Sequence, residues 1–229
     1  MKELFDRREF FDRLANDASQ IGVTLDSAQI DKLIEYLAQM LRWNRTYNLT
    51  AIREPEAMRV QHLVDSLAVV PLLAQRIALD GDAVGAQQAA RIMDVGSGGG
   101  LPGVVLAIAQ PGWQVCCVDA VEKKTAFVRQ MAGVLQLPNL SAQHTRVERL
   151  PPAQCDIVVS RAFASVADFA ALAGRHVRPD GTLAAMKGRE PSQELSQLHA
   201  AGEWRLDVIH TLQVPGLDAQ RCMAFLVRT

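Results

Sequence analysis

The sequence lacks the features that mark secreted, metal-binding and membrane proteins. It has four cysteines and no Cys-x-x-Cys pair, and Cys116 and Cys117 cannot chelate one metal ion together because adjacent residues of a strand point to opposite faces. The N-terminal stretch MKELFDRREFFDRL is charged throughout and has no apolar segment of signal-peptide length. No apolar run approaches the length of a membrane span. We therefore expect a soluble, cytoplasmic protein with reduced thiols, no metal site and no membrane contact.

An excess of charge of one sign is also missing. Lysine and arginine number 24 against 25 aspartate and glutamate residues, for a formal net charge of -1. This balance gives no global argument for a nucleic-acid partner, although a local basic face would suffice for one. The length of 229 residues and the hydrophobic fraction of 49% support one sizeable α/β domain with an appendage.

The first 79 residues are predicted to form a helical extension. Asp26 with Gln29 three residues later is typical of a capped helix start, and an apolar stripe follows as far as Asn44. The segment RTYNLTAIRE (45–54) is interpreted as a connector, and Pro55 as the first residue of another helix. The small, weakly patterned residues 80–90 are predicted to be a linker to the main domain, 91–229.

Beyond the linker, short apolar runs alternate with helical stretches. This alternation predicts a Rossmann-like α/β fold with a mainly parallel sheet, including a helix near 192–201. The last two strand-like runs, WRLDVIHTLQV and CMAFLVRT, are separated only by PGLDAQR. Because that link is too short for a helical crossover, we expect an antiparallel strand pair at the C-terminus.

The segment IMDVGSGGGLPG (92–103) predicts a ligand-binding turn after a strand. Gly98, Gly100 and Gly103 fit the dinucleotide spacing G-x-G-x-x-G, a weak signal alone. Asp94, Gly96, Gly98 and Gly100 fit acidic-x-G-x-G-x-G, which resembles the first motif of S-adenosylmethionine-dependent methyltransferases. An acidic residue suits a cationic sulfonium ligand better than a pyrophosphate, so S-adenosylmethionine is favoured. A tight turn without a ligand is the plainer alternative.

Further candidates follow the other predicted strands. Asp119 ends the second strand, where a carboxylate accepts hydrogen bonds from ribose hydroxyls, although a helix N-cap is a serious rival role. Glu148 is a candidate acceptor for an adenine amino group or a solvated surface residue. Arg161 directly follows CDIVVS and is a candidate for bidentate anion binding. Lys187 ends the fifth strand on the same rim, where it is either functional or merely solvated.

Several motifs in fixed order resemble the bacterial small-subunit ribosomal RNA methyltransferase G family, also called glucose-inhibited division protein B. These are TYNLTAI, HLVDSLAV, DVGSGGGLPGVVLAI, SRAFAS, MKG and VPGLDAQR. The resemblance implies methyl transfer from S-adenosylmethionine to guanine N7 in the decoding-region loop of 16S ribosomal RNA. It also implies a cofactor site with Gly96 and Leu101 in the loop, Val147 and Glu148 at the adenosine end, Asp119 at the ribose, and Arg161. The insert near 81–90 is longer than the family needs.

The implied reaction needs no acid–base pair, and none is evident in the sequence. Guanine N7 has a free lone pair and no proton, so alignment rather than a general base is required, and no Cys/His or Ser/His pair stands out. Asn48 and His62 are candidates for the guanine side, with a turn asparagine and a core histidine as the alternatives. RNA phosphates are expected to meet some of these basic residues: Arg42, Arg45, Arg53, Arg59, Lys123, Lys124, Arg129, Arg146 and Arg149.

Other functions remain open at the level of sequence. A methyltransferase acting on another RNA, a small molecule or a protein, a nicotinamide-dependent oxidoreductase, and a module that only binds S-adenosylmethionine are the competitors. The oxidoreductase would normally need a separate substrate domain, for which the chain after the linker leaves no room. The expected partner is 16S ribosomal RNA or the small ribosomal subunit. No DNA partner is expected, and nothing requires more than a monomer.

Overall fold

The computed structural model describes residues 5–80, 89–161, 163, 165–191, 194, 196, 198 and 202–229. Helices α1 to α8 span Arg7–Gln20, Ser27–Tyr47, Pro55–Met58, Asp65–Leu67, Val70–Asp80, Gly103–Ala109, Glu122–Val134 and Val166–Ala173. Strands β1 to β7 span Arg91–Val95, Gln114–Asp119, Leu140–His144, Cys155–Ser160, Val177–Lys187, Trp204–Leu212 and Arg221–Arg228. A π-helical turn, Arg59–Val64, joins α3 to α4. Two 3₁₀ turns lie at Val147–Arg149 and Gly174–His176.

The strands form one seven-stranded sheet with the order β3-β2-β1-β4-β5-β7-β6. Strands β1 to β5 pair in parallel, with Asp94 beside Cys117 and Val95 beside Val118 in the central register. Strand β7 pairs antiparallel with both β5 and β6. The predicted fold, a mainly parallel sheet with an antiparallel C-terminal pair, is confirmed. The carboxyl ends of β1, β2, β4 and β5 meet at one edge, and the candidate site lies there.

Helix α2 begins as the sequence predicts and ends later than predicted. The Asp26 side chain accepts from the Gln29 N–H at 2.7 Å and the Gln29 side chain accepts from the Asp26 N–H at 2.9 Å, which completes the capping box. The helix continues through 45–47, which the sequence analysis assigned to a connector. Trp43 and Tyr47, four residues apart, lie with ring centroids 5.0 Å apart and stabilise this last turn. Asn48 ends the helix in the left-handed conformation with φ 47°.

Two cores cover the two faces of the sheet. The larger contains side chains from α1, α2, α6 and α7, such as Leu14, Leu37 and Phe127, and the smaller contains Phe169 and Trp204. Since the larger core includes the N-terminal helices and the sheet, the helical extension packs as part of the same body. The division at a linker stays a prediction, because residues 81–88 lie outside the described residues, as does most of the predicted helix near 192–201.

The helical stretch Pro55–Leu79 differs from the sequence expectation in one respect. It is long and apolar enough to cross a membrane, whereas no run of that length was identified from the sequence. Of its most apolar window, 56% is buried inside the protein. Leu63, Val64 and Leu67 are fully packed, so burial in the core accounts for its composition.

The four cysteines occur as free thiols, and three of them are buried. Cys117 belongs to the larger core, whereas Cys116 packs against the smaller one. The predicted orientation of these neighbours toward opposite faces is confirmed.

Candidate functional site

The glycine loop connects β1 to α6 and is tied to the end of β2. The Gly96 and Ser97 N–H groups donate to the Val118 carbonyl at 2.8 and 3.2 Å, and the Gly98 N–H donates to Asp119 Oδ2 at 2.9 Å. The Gly100 and Leu101 N–H groups donate to the Ser97 carbonyl. These bonds hold the loop as a compact turn at the carboxyl ends of β1 and β2.

Two of the loop glycines serve different purposes. Gly100 has φ +95°, and an added Cβ would collide with the Val104 side chain, so packing alone excludes any other residue. Gly98 has φ +58°, and a Cβ there would meet nothing within 4 Å. The backbone at Gly98 thus faces open space that a ligand can enter.

Asp119 is the last residue of β2 and lies beside the glycine loop. Its side chain is held by two hydrogen bonds, from Gly98 N–H to Oδ2 at 2.9 Å and from Val121 N–H to Oδ1 at 2.8 Å. The N-cap of α7 is Val121, which has no side-chain capping bond, so the rival role of Asp119 as the N-cap of that helix does not occur. A carboxylate has about four lone-pair positions, so these bonds leave two acceptor positions of Asp119 unused.

Asp94 is placed beneath the loop and does not face the crevice. It is fully buried, and Oδ2 accepts from the Gly103 N–H at 2.8 Å while Oδ1 has no hydrogen-bond partner among the described residues. Burial raises the pKa of this carboxyl to about 7, despite the Gly103 bond, which lowers it. The expected direct contact between Asp94 and a cationic ligand therefore gains no support. The carboxyl instead holds the start of α6.

Helix α2 contributes to the loop in a way that the sequence analysis missed. The buried Tyr36 hydroxyl donates to the Gly99 carbonyl at 2.6 Å, and burial keeps the pKa of the phenol well above its usual value. The Met40 methyl group packs against Gly99, 3.1 Å from the position of an added Cβ. In the sequence both residues belong to an ordinary apolar helical stripe, so no local signal distinguishes them from core.

A small cavity, which we call the loop cavity, opens between the glycine loop and the N-terminal helices. Its volume is about 130 Å³. It is lined by Met40, Leu49, Thr50, His62, Gly96, Ser97, Gly98, Gly99, Leu101 and Arg161. Of the predicted cofactor residues, the structure brings Gly96, Gly98, Leu101 and Arg161 together here.

A second cavity of about 350 Å³, which we call the rim cavity, shares His62 and Arg161 with the first. Its other lining residues are Ile52, Gln61, Asp65, Met186, Lys187, Gly188, Leu212, Arg221 and Cys222. The buried Asp65 carboxylate accepts from Arg221 Nε at 2.9 Å and from Arg161 at 3.3 Å. Lys187 pairs with Glu194 at 2.9 Å. Three cations, Arg161, Lys187 and Arg221, thus stand against two carboxylates, Asp65 and Glu194, and the remaining positive charge suits an anionic ligand.

His62 stands between the two cavities with both ring nitrogens engaged. Nδ1 lies 3.0 Å from the Gln61 carbonyl, which can only accept, so Nδ1 carries the proton. Nε2 therefore accepts from the Thr50 hydroxyl at 2.9 Å. Burial, together with the nearby Arg161 charge, lowers the pKa of His62 to about 4. The imidazole is neutral at pH 7 and has no nitrogen free to remove a proton.

Besides Asp94, Gly100 and Asp119, three predicted site residues line neither cavity. Asn48 is exposed and forms the C-cap of α2, which corresponds to the turn alternative left open from the sequence. Glu148 is exposed and lies 3.9 Å from Arg146, as in a surface ion pair. Val147 is buried, and its carbonyl accepts from His176 at 3.0 Å. The adenosine-end assignment of Val147 and Glu148 stays a prediction.

Of the basic residues proposed to contact RNA, one is buried and the others lie at or near the surface. Arg59 is buried and paired with Asp17 and Glu56, so it joins α1 to the π-helical turn and is not an exposed phosphate ligand. Arg45 and Arg53 are exposed and line a groove of about 300 Å³ beside the end of α2. The others lie at or near the surface: Arg42, Lys123, Lys124, Arg129, Arg146 and Arg149.

Residues 29–223 match the family described as rRNA small subunit methyltransferase G. The chain belongs to this family. Relatives named ribosomal RNA small subunit methyltransferase G include that of Bordetella petrii, 63% identical over 95% of this chain and 82% of the relative. That of Bordetella avium is 59% identical over 95% of this chain and 93% of the relative. The resemblance inferred from the sequence motifs is confirmed.

Solved structures show the same fold at low identity. A magnesium protoporphyrin IX methyltransferase from Synechocystis PCC 6803 with bound SAM aligns with a TM-score of 0.54 and 17% identity, over 90% of this chain and 99% of that one. A protein from Thermoplasma acidophilum described as a putative methyltransferase aligns with a TM-score of 0.51 and 13% identity, over 69% of this chain and 74% of that one. Together with the observed strand order, these likenesses confirm the class I methyltransferase fold for this member of the methyltransferase G family.

Proposed function

We propose that this protein transfers a methyl group from S-adenosylmethionine to N7 of a guanine in the decoding-region loop of 16S ribosomal RNA. Membership of the family makes the chain an S-adenosylmethionine-dependent methyltransferase of small-subunit ribosomal RNA. The reacting atom and the position in the RNA are the added proposal. The observation that carries it is the absence of a free base among the described residues that line the two cavities.

The residues of the loop edge fit S-adenosylmethionine. Gly98 leaves open space above the loop, and Asp119 retains acceptor positions suited to the two hydroxyls of a ribose. The loop cavity, at about 130 Å³, is too small for the whole cofactor and suits one end of it. We assign the methionine and sulfonium end to the loop cavity, and the ribose to Asp119. When bound, the cofactor supplies an electrophilic methyl group.

The rim cavity is the proposed place for the target nucleotide. It adjoins the loop cavity at His62 and Arg161, so a base seated there lies next to the donor methyl group. Arg161, Lys187 and Arg221 give its wall the charge that a nucleotide phosphate requires. Asp65 holds the two arginines at fixed positions, since it is buried and bonded to both.

Purine N7 is a nucleophile that these cavities can serve without acid–base chemistry. Attack by the ring lone pair on a methyl group releases no proton from the base. Both His62 nitrogens are engaged, and Asp65 is bonded to two arginines. The protein's contribution is thus alignment of the two reactants, which can supply several kcal/mol. A substrate hydroxyl or amino group would need a proton acceptor that these groups do not provide.

The proposal is tested by identifying the methylated atom directly. Small ribosomal subunits are isolated from cells that lack the protein and incubated with the purified enzyme and S-adenosylmethionine. Methylated nucleosides are then assigned by mass spectrometry, and N7-methylguanine by its sensitivity to reductive strand cleavage. We expect one N7-methylguanine in the decoding-region loop of 16S RNA.

Subunits from cells that contain the protein are the matched control, and they should accept little further methyl. Methylation at another atom or in another region of the RNA would contradict the proposal. It would leave family membership and cofactor use unaffected.

A further inference from the structure

One short segment, the residues 49–52 between α2 and α3, contributes to both cavities. Leu49 and Thr50 line the loop cavity, and Ile52 lines the rim cavity. His62 lies against this segment and borders both spaces. The segment and His62 therefore form a partition, which we call the dividing wall.

Hydrogen bonds fix the dividing wall from behind. Asn44 is buried near the end of α2, and its Oδ1 accepts from the Thr50 N–H at 3.0 Å while its Nδ2 donates to the Ile52 carbonyl at 3.4 Å. The Ile52 N–H donates to Thr50 Oγ1 at 3.1 Å. Asn44 thus uses both ends of its amide to hold the segment.

The Thr50 hydroxyl connects the segment to His62. Because Nδ1 of His62 donates to the Gln61 carbonyl, Nε2 can only accept, and the hydroxyl proton must point to it. The Gln61 carbonyl also accepts from Arg161 at 3.0 Å. A continuous chain of hydrogen bonds runs from Asn44 through Thr50 and His62 to Arg161, along the boundary of the two cavities.

We propose that Thr50 is a positioning residue, whose hydroxyl sets the place of His62 and so the spacing between the methyl donor in the loop cavity and the acceptor base in the rim cavity. The inference rests on the proposed assignment of the two cavities. Methyl transfer needs the nucleophile, methyl carbon and sulfur in line, and a displacement of about 1 Å can cost roughly 100-fold in rate. A partition that moves changes this alignment without removing a contact that binds either reactant.

Thr50→Val tests the role, since valine keeps the shape and removes the hydroxyl. We expect the single-turnover rate of methyl transfer to ribosomal RNA to fall about 10- to 100-fold. The dissociation constants for S-adenosylhomocysteine and for RNA should change less than two- to threefold. Thr50→Ser should recover most of the rate. Thr46→Val is the matched control, because Thr46 is exposed on α2 and the same substitution there removes no hydroxyl facing His62.

A spectroscopic measurement on the unmodified protein tests the same point independently of folding of the variants. With isotopically labelled histidine, five ring signals are expected, and the His62 ring should show a proton on Nδ1 and none on Nε2 at pH 7. In Thr50→Val the proton should stay on Nδ1, because the Gln61 carbonyl still accepts it, and the Nε2 signal should shift because that nitrogen loses its hydroxyl donor.

A normal transfer rate in Thr50→Val, or a proton on Nε2 of His62 in the unmodified protein, would overturn the inference. Equal losses in rate and in both affinities, without rescue by Thr50→Ser, would also overturn it by showing a general structural defect. If the unmodified enzyme methylates a different RNA atom, the proposed function fails instead. The comparison of Thr50→Val with Thr46→Val still decides the positioning role.

Discussion

Tyr36→Phe removes one hydroxyl from the support of the glycine loop. In the protein this hydroxyl donates to the Gly99 carbonyl at 2.6 Å, and both groups are buried. Phenylalanine keeps the ring packing, including the contact with Phe127 at 6.0 Å between centroids. The substitution therefore isolates the hydrogen bond.

The magnitude follows from leaving a buried carbonyl without its donor. Such a group costs about 1–3 kcal/mol, and for a chain of this size about 1 kcal/mol corresponds to roughly 2–4 °C in melting temperature. We expect the unliganded variant to melt about 2–12 °C lower. S-adenosylhomocysteine should bind more weakly, since the loop must be ordered again when the ligand binds.

Thermal unfolding with and without S-adenosylhomocysteine, together with calorimetric titration, measures both effects. Tyr47→Phe is the matched control, because that tyrosine is on the same helix but 41% exposed. If Tyr36→Phe and Tyr47→Phe have the same stability and the same ligand affinity, the role assigned to the hydroxyl is refuted.

Three further outcomes are expected. Asp119→Asn should weaken S-adenosylmethionine binding roughly 10- to 100-fold by calorimetry, since charge-assisted hydrogen bonds are worth about 1.5–3 kcal/mol; unchanged affinity would refute the ribose role. Burial raises the pKa of Asp94 to about 7 from 3.8, so the folded state retains a proton that the unfolded chain releases. The free energy of unfolding should therefore fall as the pH rises from about 4 to 7. Urea unfolding of Asp94→Asn should lack this decrease, and a pH profile parallel to the unmodified protein would count against it. RNA binding should weaken with salt, with a slope of about -0.7 in log K per phosphate contact; a flat dependence would exclude phosphate contacts.

The fold could be predicted because its sequence signals are local. Alternating apolar runs, the Asp26 capping box and the short link before β7 each determine one element or one pairing, and the structure contains all three. The end of α2 was wrong because the contact between Trp43 and Tyr47 extends a helix that propensity alone would end earlier.

The site could be predicted only where one strand end supplies the residue. Gly96 and Arg161 directly follow β1 and β4, and Gly98 lies two residues beyond Gly96, so topology places all three at the edge that carries the cavities. The cofactor role of Asp94 stays a prediction, because strand position does not reveal whether a carboxyl faces the crevice or bonds to the start of the next helix, as this one does.

Contacts between distant segments were the part that the sequence could not provide. Tyr36 reaches Gly99 across 63 positions, and Asp65 joins Arg161 and Arg221 across 96 and 156. Within its own segment, each of these residues has the pattern of an ordinary core or surface position. The contacts form only when α2 and the π-helical turn pack over the sheet.

The central claim, attack by guanine N7 aligned without a base, is tested most directly by replacing one ring atom of the target. Small subunits are assembled with 16S RNA that carries 7-deazaguanine at the nucleotide found to be methylated, and transfer is followed with labelled S-adenosylmethionine. Carbon in place of N7 removes the lone pair and leaves the shape and the other edges of the base almost unchanged. We expect these subunits to bind with the affinity of unmodified ones and to accept no methyl group. Transfer at the normal rate would place the chemistry on another atom and contradict the account.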